Sequence, residues 1–424
     1  MVPATTRPVS FRAVIGLRPT QRNENHAPCH PRETGGPLLV QDTMDSRLRG
    51  NDVIFERAER GMTVSGGLMA DDSRLGFGLL GTGLIAPFHA KAIRASNVGR
   101  LVGASDLYAD RLVKFTSEFE CKAYAGLEQM LLDREVQVVC ILTPNHLHVD
   151  AALKAARAGK HVLVEKPPAM SLREVDKMQK VCAAAGVKIG VVLQCRTRRA
   201  VQATRKAILE GRFGRVLQAD TYMKWFRPTD YYTSDGWRTE RRSGGGVTIQ
   251  QAFHYIDLLQ YLVGPVKRVQ AQMTNLAHPG IPVEDTTLAF VTYQSGAQGV
   301  VQASTALWPG TDIRIEVNGE FGTAIMVGER MDTWKFKDQR PEDEEIRHYG
   351  SAAVATGATG AAALGFQDHQ AVIEDMADAI EHGREPMITL ASVRPTLEWA
   401  LAMYQSAQQE APVDLPLADE QAVW

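Results

Sequence analysis

The chain lacks most of what would place it outside the ordinary globular class. Its 424 residues contain only five cysteines, Cys29, Cys121, Cys140, Cys182 and Cys195. The number is odd and the spacing matches no metal-ligand pattern, so neither a disulfide scaffold nor a cysteine-held metal is expected. Cys140 and Cys182 fall in apolar patterns and read as packed thiols in a reduced, cytoplasmic setting. No apolar run approaches the ~20 residues of a membrane span. There is no excess of charge of either sign: 47 Lys and Arg stand against 49 Asp and Glu, a formal net charge of −2. Nucleic acid and membrane are therefore not expected partners.

The first 72 residues lack a lasting apolar period. They are rich in Arg, Pro, Thr and Gly. The first 22 residues hold four arginines and no acid, which resembles a transit peptide, but Glu24, Glu33, Asp42 and Asp45 follow. There is no continuous apolar h-region and no twin-arginine pair, so a secretory signal is rejected. This stretch is expected to be disordered, an over-extended start with Met62 or Met69 as the first residue that matters.

What is present is organised around Gly76-Phe77-Gly78-Leu79-Leu80-Gly81-Thr82-Gly83-Leu84-Ile85-Ala86. An apolar run breaks at glycines, and a helical pattern follows from Phe88 to Ser96. Gly81 permits a tight turn, Gly83 lets the backbone approach a pyrophosphate, and Ala86 takes the third small position. The N–H groups of the following helix then face the anionic phosphates. This is the dinucleotide-binding pattern G-x-G-x-x-[GA]. A second apolar run, Leu101 to Ser105, ends at Asp106. A carboxylate there would accept hydrogen bonds from ribose hydroxyls and repel a 2′-phosphate, so NAD is expected over NADP.

From Arg74 the pattern alternates strand and helix. Strands are expected at 74–80, 101–105, 121–125, 136–143, 160–166 and 187–194. Helices are expected at 126–134 and 147–158 and from Leu172, the last opened by the capping box of Ser171 and Glu174. Such alternation implies a parallel, doubly wound sheet. After Gln194 the pattern changes: a helix over 198–210, a strand at 216–225, a polar stretch at 226–246 and a helix at 248–263. Strands at 266–275, 286–294, 297–307, 312–318 and 322–327 follow, with a hairpin turn at Ser295-Gly296. An Ala/Gly-rich stretch at 350–366 reads as a flexible loop, and two helices, 367–383 and 393–409, close the chain. The expectation is an α/β architecture, a Rossmann domain at 73–194 and an α+β domain at 195–424 with a large, open, mostly antiparallel sheet.

Three places carry chemistry. Val162-Leu163-Val164-Glu165-Lys166-Pro167 ends a strand, and ligands bind beyond the carboxyl ends of strands in such sheets. Lys166 there can donate to a substrate oxygen, and Pro167 fixes the turn. Thr143-Pro144-Asn145-His146-Leu147-His148 ends the neighbouring strand, which puts Asn145 and His148 within reach of the nicotinamide half of a cofactor; Asn145 also suits a helix cap. In the second domain, Gly244-Gly245-Gly246 leads into Gln250, His254 and Asp257. A single helix would set these three on one face, at i, i+4 and i+7. A histidine titrating near neutral pH can take a proton from an alcohol as hydride leaves carbon. A lone helical histidine is more often structural, and the triple glycine before this one favours a ligand.

These motifs together resemble the Gfo/Idh/MocA family of oxidoreductases over roughly Arg74 to Pro416. Trp237-Arg238, Val283-Glu284-Asp285-Thr286 and the helix from Ser392 to Ser406 add to the match. The resemblance implies NAD(P)-dependent oxidation or reduction of a secondary carbinol on a sugar, polyol or sugar derivative, in a homodimer or homotetramer built through the open sheet. It implies Lys166 and His254 as the catalytic pair. On the cofactor side it implies Gly81, Thr82, Gly83, Leu84, Ile85 and Asp106, with Arg111, Thr143, Asn145 and His148, and then Glu165, Lys166, Gln194, Trp237 and Arg238. On the substrate side it implies Arg196, Gln250 and Asp257 beside the catalytic pair. Many family dehydrogenases carry Asp four residues before the catalytic histidine, where this chain has Gln250. Glutamine offers only a dipole, so His254 is expected to be a weaker base, unless Asp257 supports it; the alternative for Asp257 is a buried packing partner. The alternative is a non-catalytic NAD(P)-sensing regulatory protein of the same fold.

Overall fold

The computed structural model describes residues 74–350 and 365–420. The expectations for residues 1–72 and for most of the Ala/Gly-rich stretch lie outside the described residues. The first half winds β1 (Leu75–Leu80), α1 (Ala86–Ala95), β2 (Gly99–Ser105), α2 (Ala109–Glu118), β3 (Lys122–Ala123), α3 (Leu127–Leu132), β4 (Val138–Ile141), α4 (His148–Arg157), β5 (His161–Glu165), α5 (Leu172–Ala184) and β6 (Ile189–Val192). The six strands pair in parallel in the order β3-β2-β1-β4-β5-β6. Strand β4 is buried throughout, and β5 is buried from Val162 onward. Strands covered by helices on both faces read as unbroken apolar runs for this reason. The sheet changes direction at β1, so the ends of β1, β2, β4, β5 and β6 open on one crevice.

The second half contributes α6 (Arg199–Leu209), β7 (Val216–Lys224), α7 (Thr229–Thr233), α8 (Val247–Gln250), α9 (Phe253–Val263), β8 (Val266–Thr274), β9 (Thr286–Tyr293), β10 (Gln298–Ser304), β11 (Arg314–Gly319), β12 (Gly322–Val327) and β13 (Arg330–Phe336). After α10 (Asp343–Ile346) come α11 (Gln367–Glu381), α12 (Leu390–Gln409) and β14 (Val413–Asp414). The second sheet runs β13-β12-β11-β7-β10-β9-β8-β14, antiparallel except between β7 and β10. One face packs Ala289, Val291 and Val301 against Ile256 and Leu259 of α9 and Trp399 and Met403 of α12. The other leaves Leu217, Leu288 and Phe290 exposed.

Three features depart from the sequence reading. The helix expected at 248–263 is two helices, broken at Gln251 and Ala252, whose N–H groups both reach back to the Val247 carbonyl. Strand β13 was not expected, because only Met331 and Trp334 along it are buried and β12 slips register between Ile325 and Met326, which erases the alternation. The final helices do not stay with the second sheet: Val372, Ile373 and Met376 of α11 and Val393, Leu397 and Leu401 of α12 belong to the core of the first. They strap the two halves together.

Candidate active site

The crevice at the strand ends is framed by the glycine-rich turn. Gly81 has φ +101°, and a Cβ there would lie 2.8 Å from the Leu142 carbonyl oxygen, so the fold itself requires this glycine. A Cβ on Gly83 would meet nothing within 4 Å. The protein gives no reason for that glycine; a ligand lying against it does. Helix α1 has no side-chain cap on its N-terminus, which leaves N–H groups available to an anion. Asp106 closes the turn: its Oδ2 accepts from the Thr82 N–H (2.7 Å) and Oγ1 (2.8 Å), and its Oδ1 from the Tyr108 N–H (2.8 Å). A carboxylate has about four acceptor sites, so capacity remains for ribose hydroxyls. Farther along the crevice, Thr143 Oγ1 and Gln194 Oε1 are buried without partners among the described residues. Open space at Gly83, an uncapped helix and orphaned polar atoms at the strand ends together fit a bound dinucleotide.

Lys166 follows the end of β5 and reaches across the crevice, its Nζ donating to the Gln250 carbonyl at 2.5 Å. Asn145 Nδ2 donates to the Gly244 carbonyl (3.3 Å) and to Gln250 Oε1 (3.2 Å). A Cβ on Gly244 would collide with the Asn145 side chain, so the triple glycine lets the second domain close onto this strand end. His254 lies in the first turn of the following helix, its Nδ1 buried and without a partner among the described residues. Trp237 and Arg238 lie on the polar stretch, Arg238 donating to Asp235 at 2.6 Å with its guanidinium over Tyr231. Leu84 and Ile85 sit on the turn, Leu84 exposed toward the opening.

Several expected roles change. Because the helix breaks at Gln251, Gln250 is not a helical neighbour of His254; its side chain faces Asn145 and its carbonyl faces Lys166. Asp257 is completely buried in a bidentate pair with Arg196 (2.5 and 2.7 Å) and accepts from Thr396 Oγ1 (2.8 Å). Arg196 and Asp257 therefore tie α9 to α12 and are removed from the substrate side. His148 is also fully buried, its two ring nitrogens against the carbonyls of Thr143 and Pro167, both at 2.8 Å. It pins two strand-end loops together and has no nitrogen left for a cofactor. Arg111 stacks on Tyr108 and pairs with Asp235 at 2.8 Å, so its guanidinium joins the two domains. Glu165 is buried and accepts from the Lys166 N–H (3.1 Å), with His89 Nε2 at 3.0 Å.

Comparison with known proteins agrees with this geometry. Residues 75–193 match the family model for an oxidoreductase family with an NAD-binding Rossmann fold, and residues 201–325 match the GFO/IDH/MocA C-terminal domain. The chain belongs to this family. Among relatives of this family of NAD-binding oxidoreductases, 1,5-anhydro-D-fructose reductase of Ensifer adhaerens is 34% identical over 52% of this chain and 66% of its own length, just under two thirds. Myo-inositol 2-dehydrogenase of Thermotoga maritima is 27% identical over 62% of this chain and 78% of its own. Among solved structures, the WlbA dehydrogenase of Bordetella pertussis, in complex with NADH and UDP-GlcNAcA, is 31% identical with a TM-score of 0.72, covering 81% of this chain and 99% of that one. No helix among the described residues is long and apolar enough to cross a membrane.

The electrostatics of this family member's crevice set the two expected catalytic groups apart. Burial lowers the Lys166 ammonium below its ordinary value, and the Glu165 carboxylate acts against that. Burial lowers His254 well below its ordinary value, and the Lys166 charge lowers it further. At neutral pH His254 is therefore an uncharged imidazole.

Two residues near this pair escaped the sequence reading. His89 of α1 and His369 of α11 are buried behind Glu165, with their rings in an edge contact, centroids 5.1 Å apart. The donor atoms of His89, Glu165 and His369 lie within 4.8 Å of one another. The 3.0 Å contact between His89 and Glu165 is a hydrogen bond, while neither ring nitrogen of His369 has a hydrogen-bond partner among the described residues. A polar residue on an apolar helix face was the available signal. His89 shares a face with Ala86, Ala90 and Ile93, and His369 with Val372, Ile373 and Met376.

Proposed function

We propose that the chain uses NAD to oxidise or reduce a secondary carbinol on a sugar, polyol or sugar derivative, with Lys166 and His254 as the acid–base pair. The observation that carries this is the convergence of Lys166, Asn145, Gln250 and His254 at the strand-end crevice beside the glycine-rich turn. The relatives support the substrate class, since their names describe an anhydro-sugar, an inositol and a nucleotide-linked sugar acid. Bound nicotinamide would supply the hydride acceptor or donor.

This chain's own residues do the rest. Lys166, held by the Gln250 carbonyl, donates to the carbinol oxygen and stabilises the charge that grows there. His254, uncharged, accepts the hydroxyl proton in oxidation and returns it in reduction. The Asn145 bridge to Gly244 and Gln250 fixes the distance between the domains and so the alignment of the reacting groups. Asp106 favours NAD through the ribose hydroxyls. The exposed Leu217, Leu288 and Phe290 on the open sheet support a homodimer or homotetramer, and the cysteine usage supports a cytoplasmic setting. The decisive experiment is an assay with NAD and NADP against a panel of sugars, polyols and sugar nucleotides, repeated with Lys166→Ala. Turnover with NAD on one class, lost in the variant, is the expected result. NAD binding without turnover on any of them would favour the regulatory alternative.

A further inference from the structure

The crevice has two walls. One is the row of strand ends in the parallel sheet, from Asp106 at the ribose end to Lys166 at the reacting end. The other is the polar stretch 226–246 of the second half with the helices that follow it. The walls meet at both ends of the crevice. At the reacting end the contact is close: Asn145 is 5% exposed and donates to the Gly244 carbonyl and to Gln250 Oε1, and a Cβ on Gly244 would collide with it. At the ribose end the contact is an ion pair between partly exposed side chains. Arg111 Nη2 donates to Asp235 Oδ1 at 2.8 Å, with 45% of the arginine side chain and 24% of the aspartate side chain open to solvent.

Local structure sets this pair up on each side. Asp106 Oδ1 accepts from the Tyr108 N–H just before α2. Arg111, in the first turn of that helix, lays its guanidinium 4.5 Å from the centroid of the Tyr108 ring. Across the gap, Asp235 follows α7, and its second oxygen accepts from Arg238 Nη1 at 2.6 Å. Arg238 is 9% exposed, with its guanidinium 4.8 Å from the Tyr231 ring centroid, and Tyr231 Oη accepts from Gln251 Nε2 at 2.9 Å. Asp235 is thus fixed to the second half through a buried arginine and to the first half through an exposed one.

We propose that Arg111 and Asp235 form a clasp across the cofactor crevice, and that its opening gates both entry and release of NAD. This rests on NAD lying along the strand ends from Asp106 to Lys166, and not on the identity of the substrate. The ribose end is the weaker closure. An ion pair this exposed shifts an equilibrium by only about two- to fivefold, whereas parting Asn145 from Gly244 would leave buried polar groups unpaired. Both partners of the clasp belong to the protein, so it must open for a dinucleotide to pass in either direction. Weakening such a gate raises the open fraction, and entry and release accelerate together with little change in affinity. A side chain that touches the cofactor behaves differently: its loss speeds release alone and weakens binding.

The test is stopped-flow binding of NADH, followed by its fluorescence, to the full-length protein and to Arg111→Met, Asp235→Asn and the double variant. Each single variant should raise the association and release rates of NADH together, by about two- to fivefold, with Kd within about twofold of wild type. The double variant should match the singles, because the same bond is lost in all three. The two substitutions change charge in opposite directions, so an acceleration common to both is not electrostatic steering. In about 1 M salt the gap to wild type should narrow. Unchanged rates in a folded variant overturn the proposal, and so do effects that multiply in the double variant. Faster release alone, with a weakened Kd in Arg111→Met, also overturns it and makes Arg111 a direct cofactor ligand. Should Asp235→Asn fail to melt cooperatively, Arg111→Met, altered at an exposed side chain, decides by the same two rates. Binding of NADH needs no substrate, so a wrong assignment of the reaction leaves this test intact.

Discussion

Two glycines in one turn make opposite predictions. Gly81 is held at φ +101°, and any Cβ would press on the Leu142 carbonyl oxygen at 2.8 Å. Gly81→Ala therefore places a side chain in a sterically costly conformation, about 1–3 kcal/mol by itself. At about 2–4 °C per kcal/mol for a mid-sized domain, melting should fall by roughly 5 °C. Gly83 has open space on its Cβ side, so Gly83→Val should melt within about 1 °C of wild type, the usual outcome for a substitution that meets nothing. Its side chain would then occupy the space assigned to the pyrophosphate. NAD affinity should drop at least tenfold, about 1.4 kcal/mol or more. The assay is thermal melting with and without NAD, plus calorimetric titration. Wild type should gain about 2.7 kcal/mol of stability at NAD a hundredfold above its Kd, and Gly83→Val should lose most of that gain. A Gly83→Val protein that binds NAD normally, or melts as low as Gly81→Ala, would refute the reasoning.

The remaining predictions test other parts of the site. Lys166→Ala should lower kcat/KM by about 10²–10⁴ on an established substrate while melting within a few degrees of wild type; an unchanged rate removes the lysine from the mechanism. Asp106→Ser should raise NADP affinity relative to NAD, and a native protein that already prefers NADP contradicts the role of the carboxylate. Asp257→Ala leaves Arg196 buried and uncompensated, so stability should fall by about 3–5 kcal/mol in denaturant titrations; a normal melt with a raised KM would return Asp257 to the substrate side. Stability should also fall with acid. His369 is depressed to about 3 in the fold, so below its ordinary pKa of about 6.5 the unfolded chain takes the proton first. Stability present at neutral pH is then lost progressively as pH falls from about 6.5 toward 3, at up to about 1.4 kcal/mol per unit for this one group. Denaturant midpoints at pH 7.5 and 5.0 should show this, and His369→Gln should flatten the slope.

Much of this molecule is written in local pattern. The glycine-rich turn, the apolar strands β4 and β5, the cap at Ser171 on α5 and the hairpin at Ser295-Gly296 each depend on residues a few positions apart. Their backbone preferences and periodicities act before any tertiary contact forms. The strand-end rule then placed Asp106, Thr143 and Lys166 on one edge, because parallel strands must all point the same way. Tertiary structure alone decided what each side chain meets across the crevice. The helix break at Gln251 turned Gln250 from His254 toward Asn145, and helical spacing could not foresee it because the break is closed by a return to the Val247 carbonyl. Arg196 found Asp257 across 61 positions, and His369 reached the cluster around Glu165 only because α11 folds back onto the first domain. Such pairings follow from which buried charges can satisfy one another once the halves have packed, and that is a property of the assembled core.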